Sequence, residues 1–234
     1  MDRAALQPRL LENLPMLSAM IGIWNRNFLR YPTVAVIPYA YGLEYFPAHL
    51  QQCIMESNGK SITTKGERVG FATSPVVWGE PGTNCQHSFF QCLHQGSDIV
   101  PVEFLGFLKS QRNRDITVMG SSSSQKLLAN MIAQAIALAK GRSSENPNRN
   151  FDGNRPSSLL ITEKLTPYVL GGLLAYYEHK TVFQGFCWGI NPFDQEGVSL
   201  GKELSEKVLK VMKGEKVSGE FPEIEALLAL LDKK

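Results

Sequence analysis

Short apolar runs alternate along this chain with segments long enough to form helices, and this alternation constrains the fold most. The run TVAVI at 33–37 is rich in β-branched residues and ends at Pro38, as expected for a buried strand. About ten or more residues with helical spacing separate consecutive runs, which suits crossovers between parallel strands. We predict an α/β fold, a mainly parallel sheet of about five strands with helices on both faces. Strands are predicted at 33–37, 76–78, 99–105, 159–162 and 182–188.

Capping residues and stop signals place the helices between these runs. Ser57-Asn58-Gly59 ends one helix, and Gly141 ends another. The polar stretch 142–157 is either a linker or a functional loop. Ligands on parallel sheets bind beyond the carboxyl ends of the strands, so the loops after Ile37, Trp78 and Trp188 are the expected site region. Helices are predicted at 14–30, from 47 to the stop at 57–59, and at 83–95, 121–139, 166–178, 194–212 and 222–231.

The amino-acid composition excludes some classes of protein and of partner. The chain has 234 residues, of which 43% are hydrophobic, and 24 Lys and Arg residues stand against 22 Asp and Glu residues. This is enough apolar material for a globular core, and a disordered chain would be poorer in it. A net charge of +2 gives no basic field for gripping phosphate backbones, so no nucleic-acid partner is expected.

The cysteines and the N-terminus predict a cytoplasmic protein. None of the four cysteines forms a CxxC pair, and scattered free thiols are typical of a reducing compartment. The opening MDRAALQPRL carries charge where a signal peptide is apolar. Apolar runs fall well short of the ~20 residues of a membrane helix, so no membrane partner is expected.

Three segments carry candidate functional residues. Gln52 and Glu56 are four apart on one helical face, and the helix dipole at the C-terminal end favours a protonated carboxyl at Glu56. His87 follows a strand and a Gly/Pro turn at a predicted helix start, where N–H groups bind anions. Gln195 and Lys202 are seven apart, two turns along one helix face. Each of these residues, taken alone, also fits a solvated or structural role.

Together these segments resemble the glucose-6-phosphate isomerase family. The resemblance covers nearly the whole chain from about Leu14, with the motifs in the family's order. Cys85 stands where the family usually has Gly, and Ser199 where it usually has Glu. The matching stretches are MESNGK at 55–60, VWGEPGTNCQH at 77–87, GNRP at 153–156, YEHK at 177–180 and FDQEGVSLGK at 193–202.

The resemblance implies a function and a fold. The family interconverts glucose 6-phosphate and fructose 6-phosphate without a metal or organic cofactor, and it consists of two sugar-isomerase (SIS) domains. This chain is then expected to be a SIS-type three-layer sandwich, the C-terminal half. Its implied divisions are a helical lead-in at 1–30, the SIS domain at 31–213 and a helical tail at 214–234.

The resemblance also implies a role for each candidate. Glu56 resembles the base that moves a proton between C1 and C2, and Gln52 lies beside it in the sugar pocket. His87 resembles the histidine that opens the sugar ring and reaches into the partner subunit's site, which implies a homodimer. Lys202 resembles the lysine at the ring oxygen and the C1 hydroxyl, and Gln195 the glutamine near the phosphate and sugar.

Two family features are not found in these residues. They are the Ser/Thr-rich loop that clamps the phosphate and the GGRYS-type segment, whose arginine stabilises the enediolate. Ser121–Ser124 is a serine run, but it lies in the wrong place in the family order. We therefore expect a truncated or excised half of an isomerase, weak or inactive alone. A sugar-phosphate sensor and an inactive remnant are the alternatives, and the full set of proton-transfer residues argues against a sensor.

Overall fold

The fold is known from a computed structural model that describes residues 1–213, 215 and 223–231. The chain forms two compact units, Met1–Pro192 and Phe193–Lys234. The first unit contains the sheet. The described part of the second unit is helical.

A four-stranded, all-parallel sheet forms the centre of the first unit, in the order β2-β1-β3-β6. The register places Ala35 of β1 beside Trp78 of β2 and Val102 of β3. A separate antiparallel pair, β4-β5, was not predicted. The strands are β1 (Thr33–Pro38), β2 (Val76–Trp78), β3 (Val102–Lys109), β4 (Thr117–Val118), β5 (Ser121–Ser122) and β6 (Ser157–Lys164).

Both faces of the sheet are buried, because successive side chains of β1 enter different cores. Ala35 and Ile37 belong to a core with α5 and α6, whereas Val36 belongs to a core with α3 and α7. The predicted α/β architecture with helices on both faces is confirmed. The helices of this unit are α1 (Asp2–Ala5), α2 (Leu14–Ile23), α3 (Phe46–Leu50), α4 (Gly82–Cys85), α5 (Phe90–Gln95), α6 (Ser123–Lys140) and α7 (Pro167–Trp188).

The strand predicted at 182–188 is wrong, because these residues continue helix α7. The sheet therefore has four strands in the described chain rather than about five. The helix predicted at 166–178 ends within the YEHK segment, whose cations would suit the C-terminal end of a helix. Lys180 is instead buried against Glu103, so the helix continues for two more turns until Gly189 adopts a left-handed conformation. The loop after Trp188 consequently follows a helix, not the carboxyl end of a strand.

Two further predicted helices are interrupted. The helix predicted at 14–30 changes after Ile23 into a wider π-helical turn, Trp24–Phe28. The helix predicted at 83–95 is split into α4 and α5 by a turn at 86–89. The helix predicted at 121–139 is confirmed as α6, with a capping box formed by Ser122 and Gln125.

The second unit contains helix α8 (Ser199–Met212) and helix α9 (Glu223–Leu231). A 3₁₀ turn, Glu196–Val198, precedes α8, so the helix predicted at 194–212 begins five residues late. No helix among the described residues is both long and apolar enough to span a membrane.

Candidate active site

Gln52 and Glu56 lie on the connection that crosses from β1 to β2. Helix α3 widens there into a π-helical segment, Gln51–Glu56, and such segments are frequent at functional sites. The segment is held on the edge strand β2: the Gln51 side chain donates to the carbonyl of Val77 at 3.1 Å, and the N–H of Val77 donates to Met55 Sδ at 3.4 Å. Gln52 is exposed and Glu56 is half-buried.

Asn58, Gly59 and Lys60, which follow Glu56 closely in the sequence, hold the end of this segment in place. Asn58 is fully buried, and its Nδ2 donates to the carbonyl of Thr181 on α7 at 2.9 Å. The N–H of Gly59 donates to the carbonyl of Met55 at 2.8 Å, and a Cβ at Gly59 would overlap that oxygen. The Lys60 ammonium donates to the carbonyls of Glu56 and Ser57, which suits the negative end of a helix. The contacts of these three residues thus fix the backbone that carries Glu56.

The turn after β2 lies directly on β1. Gly79 has a φ of 155°, and a Cβ there would overlap the carbonyl of Val36. A Cβ at Gly82 would overlap the ring of Tyr39. Two glycines therefore let the GEPG turn approach the carboxyl end of β1 closely.

A partly buried hydrogen-bond network lies next to His87 in sequence. Tyr39 Oη donates to Asn130 Oδ1 at 3.0 Å, and Gln86 Nε2 donates to the same oxygen. Burial raises the pKa of Tyr39 to about 12, so its hydroxyl stays a donor at neutral pH. Because the Gln86 side chain is drawn inward, the adjacent His87 lies at the exposed surface of the 86–89 turn.

The three candidates of the first unit share one property. Within the part of the chain that the structure describes, the side chains of Gln52, Glu56 and His87 form no hydrogen bond or ion pair with protein groups. Their neighbours in sequence do: Gln51 and Gln86 are committed to internal contacts. The polar groups of Gln52, Glu56 and His87 are therefore available to a ligand, on backbone segments that their neighbours hold in place.

Gln195 and Lys202 belong to the second unit. Both are exposed, and Gln195 precedes the 3₁₀ turn, outside the helix that carries Lys202. The prediction that they share two turns of one helix face is therefore wrong. Ser199 begins α8, and its hydroxyl donates to the carbonyl of Glu196 at 2.6 Å. Among residues 1–213, 215 and 223–231, no cluster of three metal-ligating side chains occurs.

A family comparison identifies the chain: the family model for phosphoglucose isomerase matches residues 1–228. The chain belongs to the phosphoglucose isomerase family. Glucose-6-phosphate isomerases from Chlamydia caviae and Chlamydia pneumoniae are 72% and 70% identical over 99% and 100% of this chain, which spans 44% of their length.

Solved structures give the same result for the fold. The crystal structure of a glucose-6-phosphate isomerase from Chlamydia trachomatis is 62% identical, with a TM-score of 0.93 over 99% of this chain and 44% of that one. A hypothetical protein from Thermus thermophilus, 24% identical with a TM-score of 0.74 over 88% of this chain and 47% of that one, shares the fold. The parallel sheet with helices on both faces is consistent with the SIS-type sandwich expected of the phosphoglucose isomerase family.

Cys85, at the position where the resemblance leads us to expect Gly, is the last residue of α4 and lies in the core. Its side chain is fully buried among residues of β1, α5 and α6, and its Sγ donates to the carbonyl of Gly82 at 3.0 Å. The thiol therefore occupies core volume and is not part of the exposed surface at His87. Burial raises the pKa of Cys85 to about 12.

We expect Cys85 to resist alkylation in the folded chain. The thiolate is the reactive form, and with a pKa of about 12 only about one thiol in 10⁴ is ionised at pH 8. Iodoacetamide followed by mass spectrometry should label the exposed Cys92 quickly and Cys85 only after denaturation. Equal labelling rates at Cys85 and Cys92 in the native chain would contradict the buried position.

Sequence reasoning missed the residues that support the candidates. Asn58 and Lys60 belong to the MESNGK motif, and Gln86 belongs to the GTNCQH motif. Their closeness in sequence to Glu56 and His87 is a signal from which a supporting role could be predicted. Asn130 carries no such signal, because it lies 43 positions from His87 in the sequence, on helix α6.

Proposed function

We propose that this chain supplies the base-bearing part of a glucose-6-phosphate isomerase, which interconverts glucose 6-phosphate and fructose 6-phosphate through an enediolate. The observation that carries the proposal is the uncommitted carboxylate of Glu56 on a backbone locked by Asn58, Gly59 and Lys60. Such a carboxylate is free to take a proton from one carbon and return it to the next.

The other candidates supply the remaining proton transfers of this proposal. The sugar ring must open before the carbon proton can leave, and this needs a donor and an acceptor at the ring oxygen and the C1 hydroxyl. We assign these roles to His87 and Lys202. Gln52 and Gln195 orient the sugar through their amides. The negative charge of the enediolate needs a fixed positive or hydrogen-bond-donating group beside it.

Exchange with solvent tests the proposed mechanism. A base that carries one proton between two carbons can exchange it with water before returning it, so isomerisation in D₂O by the complete enzyme should place some deuterium on the carbon next to the carbonyl of fructose 6-phosphate. Mass spectrometry of the sugar phosphate detects this label. Deuterium that enters equally fast with a Glu56→Gln enzyme would contradict the role of Glu56.

We further propose that the active protein is a homodimer in the cytoplasm. An exposed His87 can serve a neighbouring subunit's pocket, and all four cysteines are free thiols, as suits a reducing compartment. Apolar surface near the π-helical turn supports self-association: Trp24 and Phe28 are 54% and 66% exposed and stack at 4.9 Å. Such patches often mark interfaces.

The dimer proposal predicts a mass twice 26.0 kDa for the chain in light scattering. Replacing Trp24 and Phe28 by Ser should return the mass to that of a monomer, because it removes the stacked apolar pair. The matched control is Tyr168→Ser, which removes an aromatic ring that is 89% exposed elsewhere. A wild-type chain that stays monomeric at high concentration would contradict self-association.

A further inference from the structure

A cavity lies at the amino ends of the strands, with polar and charged side chains among its lining residues. It has a volume of about 230 Å³, and its lining includes the first residues of β1, β3 and β6, namely Thr33, Val102 and Ser157. Helix α7 contributes Lys180 and Gln184, and the π-helical turn contributes Arg26. The turn that carries His87 lies instead at the carboxyl ends of the strands.

Two charges of this cavity neutralise each other. Lys180 Nζ donates to Glu103 Oε1, and the Tyr177 hydroxyl donates to Glu103 Oε2 at 2.9 Å. The side chains of Lys180 and Glu103 are only 6% and 13% exposed. Burial alone lowers the pKa of Lys180, but its attraction to Glu103 outweighs this and raises the pKa overall. The pair therefore stays ionised and adds no net charge.

Arg26 carries the remaining positive charge of the cavity, which the ion pair of Lys180 and Glu103 does not neutralise. Its Nε donates to the carbonyl of Thr73 at 2.8 Å, and no carboxylate in the described chain forms an ion pair with its guanidinium. Burial lowers the pKa of Arg26, with no contribution from a neighbouring acid to oppose that shift. Because Glu103 is already paired, the cavity carries one unbalanced positive charge.

Two other residues of the cavity lining have unused hydrogen-bonding capacity. The Thr33 hydroxyl is buried, and no hydrogen-bond partner for it occurs in the described residues. Gln184 is 3% exposed, and its amide reaches only a distant carbonyl, that of Ala19, at 3.5 Å. The Gln184 amide fits beside Gly22 because glycine has no side chain. A Cβ at Gly22 would overlap Gln184 Nε2. Hydroxyl, amide and guanidinium groups at one cavity are suited to an oxyanion.

We propose that this cavity binds a small carboxylate, whose single negative charge pairs with Arg26 and whose oxygens accept from Thr33 and Gln184. A planar carboxylate matches the two parallel N–H groups of a guanidinium. A volume of about 230 Å³ suits a small organic acid. This site goes beyond the proposed isomerase function and does not depend on it.

The test is the unfolding midpoint of the chain in sodium acetate against sodium chloride at equal ionic strength. At ten times its Kd, acetate should raise the midpoint by roughly 3–6 °C, whereas chloride should not. Arg26→Met should abolish the shift. Arg149→Met, which removes an exposed arginine that does not line the cavity, should keep it.

A second variant keeps the test valid if Arg26→Met folds poorly. Thr33→Val removes a hydroxyl that has no protein partner, so the fold without acetate should be unaffected while the Kd for acetate rises about 2–10-fold. Equal shifts in wild type and Arg26→Met would overturn the proposal. Phosphate acting as strongly as acetate would overturn the carboxylate class, because the cavity would then respond to charge alone.

Discussion

Replacing Glu56 by Gln in a complete enzyme containing this chain is expected to lower kcat by at least ~10²–10⁴-fold. Gln keeps the shape of the side chain but cannot accept the carbon proton. Binding of the sugar phosphate should change little, because the charge at Glu56 is proposed to act on the proton rather than on the phosphate. Steady-state kinetics with fructose 6-phosphate, together with calorimetric binding, separates the two effects.

The fold of this variant should be intact. The helix end is held by the backbone and side-chain contacts of Asn58, Gly59 and Lys60, and the Glu56 carboxylate takes part in none of them. Glu67→Gln provides the matched control, since it removes an exposed carboxylate on the same β1–β2 connection. A Glu56→Gln enzyme that keeps most of its turnover would show that another group is the base.

The 234-residue chain by itself is expected to be a poor isomerase. It spans 44% of the length of its relatives. The family resemblance leads us to expect the phosphate-clamping loop and the enediolate-stabilising arginine outside these 234 residues. Positioning of a substrate can account for ~7–11 kcal/mol of barrier lowering. Removal of one oxyanion donor typically costs roughly 10²–10³ in rate. Both losses act on the same transition state, so weak binding and slow chemistry should appear together.

A coupled assay that detects glucose 6-phosphate formed from fructose 6-phosphate measures this loss. The assay should be run on the chain alone, on the chain mixed with a polypeptide carrying the remaining family segments, and on that polypeptide alone. Recovery only in the mixture would show that the two parts assemble and complete the site. Turnover by the chain alone at the rate of an ordinary enzyme would contradict this division of the site.

The candidate residues were accessible from sequence only through their motifs. Spacing places Gln52 and Glu56 on one helical face, and the MESNGK pattern links Glu56 to a proton-transfer role. Nothing in the local sequence reveals that Asn58 reaches Thr181, since that hydrogen bond joins residues 123 positions apart. The same holds for Asn130, which accepts from both Tyr39 and Gln86.

The α/β architecture can be predicted from the sequence, although residues 182–188, predicted as a strand, belong to helix α7. Runs such as TVAVI alternate with helical segments, and a parallel sheet covered on both faces buries both kinds of element. The end of α7 depends on contacts between residues that are far apart in the sequence. The charges of its YEHK segment suggest a helix terminus in contact with solvent, yet Glu103 lies in the fold opposite Lys180, and a paired charge can be buried. A local sequence pattern shows whether a segment is helical or extended. It does not show which residue, distant in the sequence, will neutralise a buried charge.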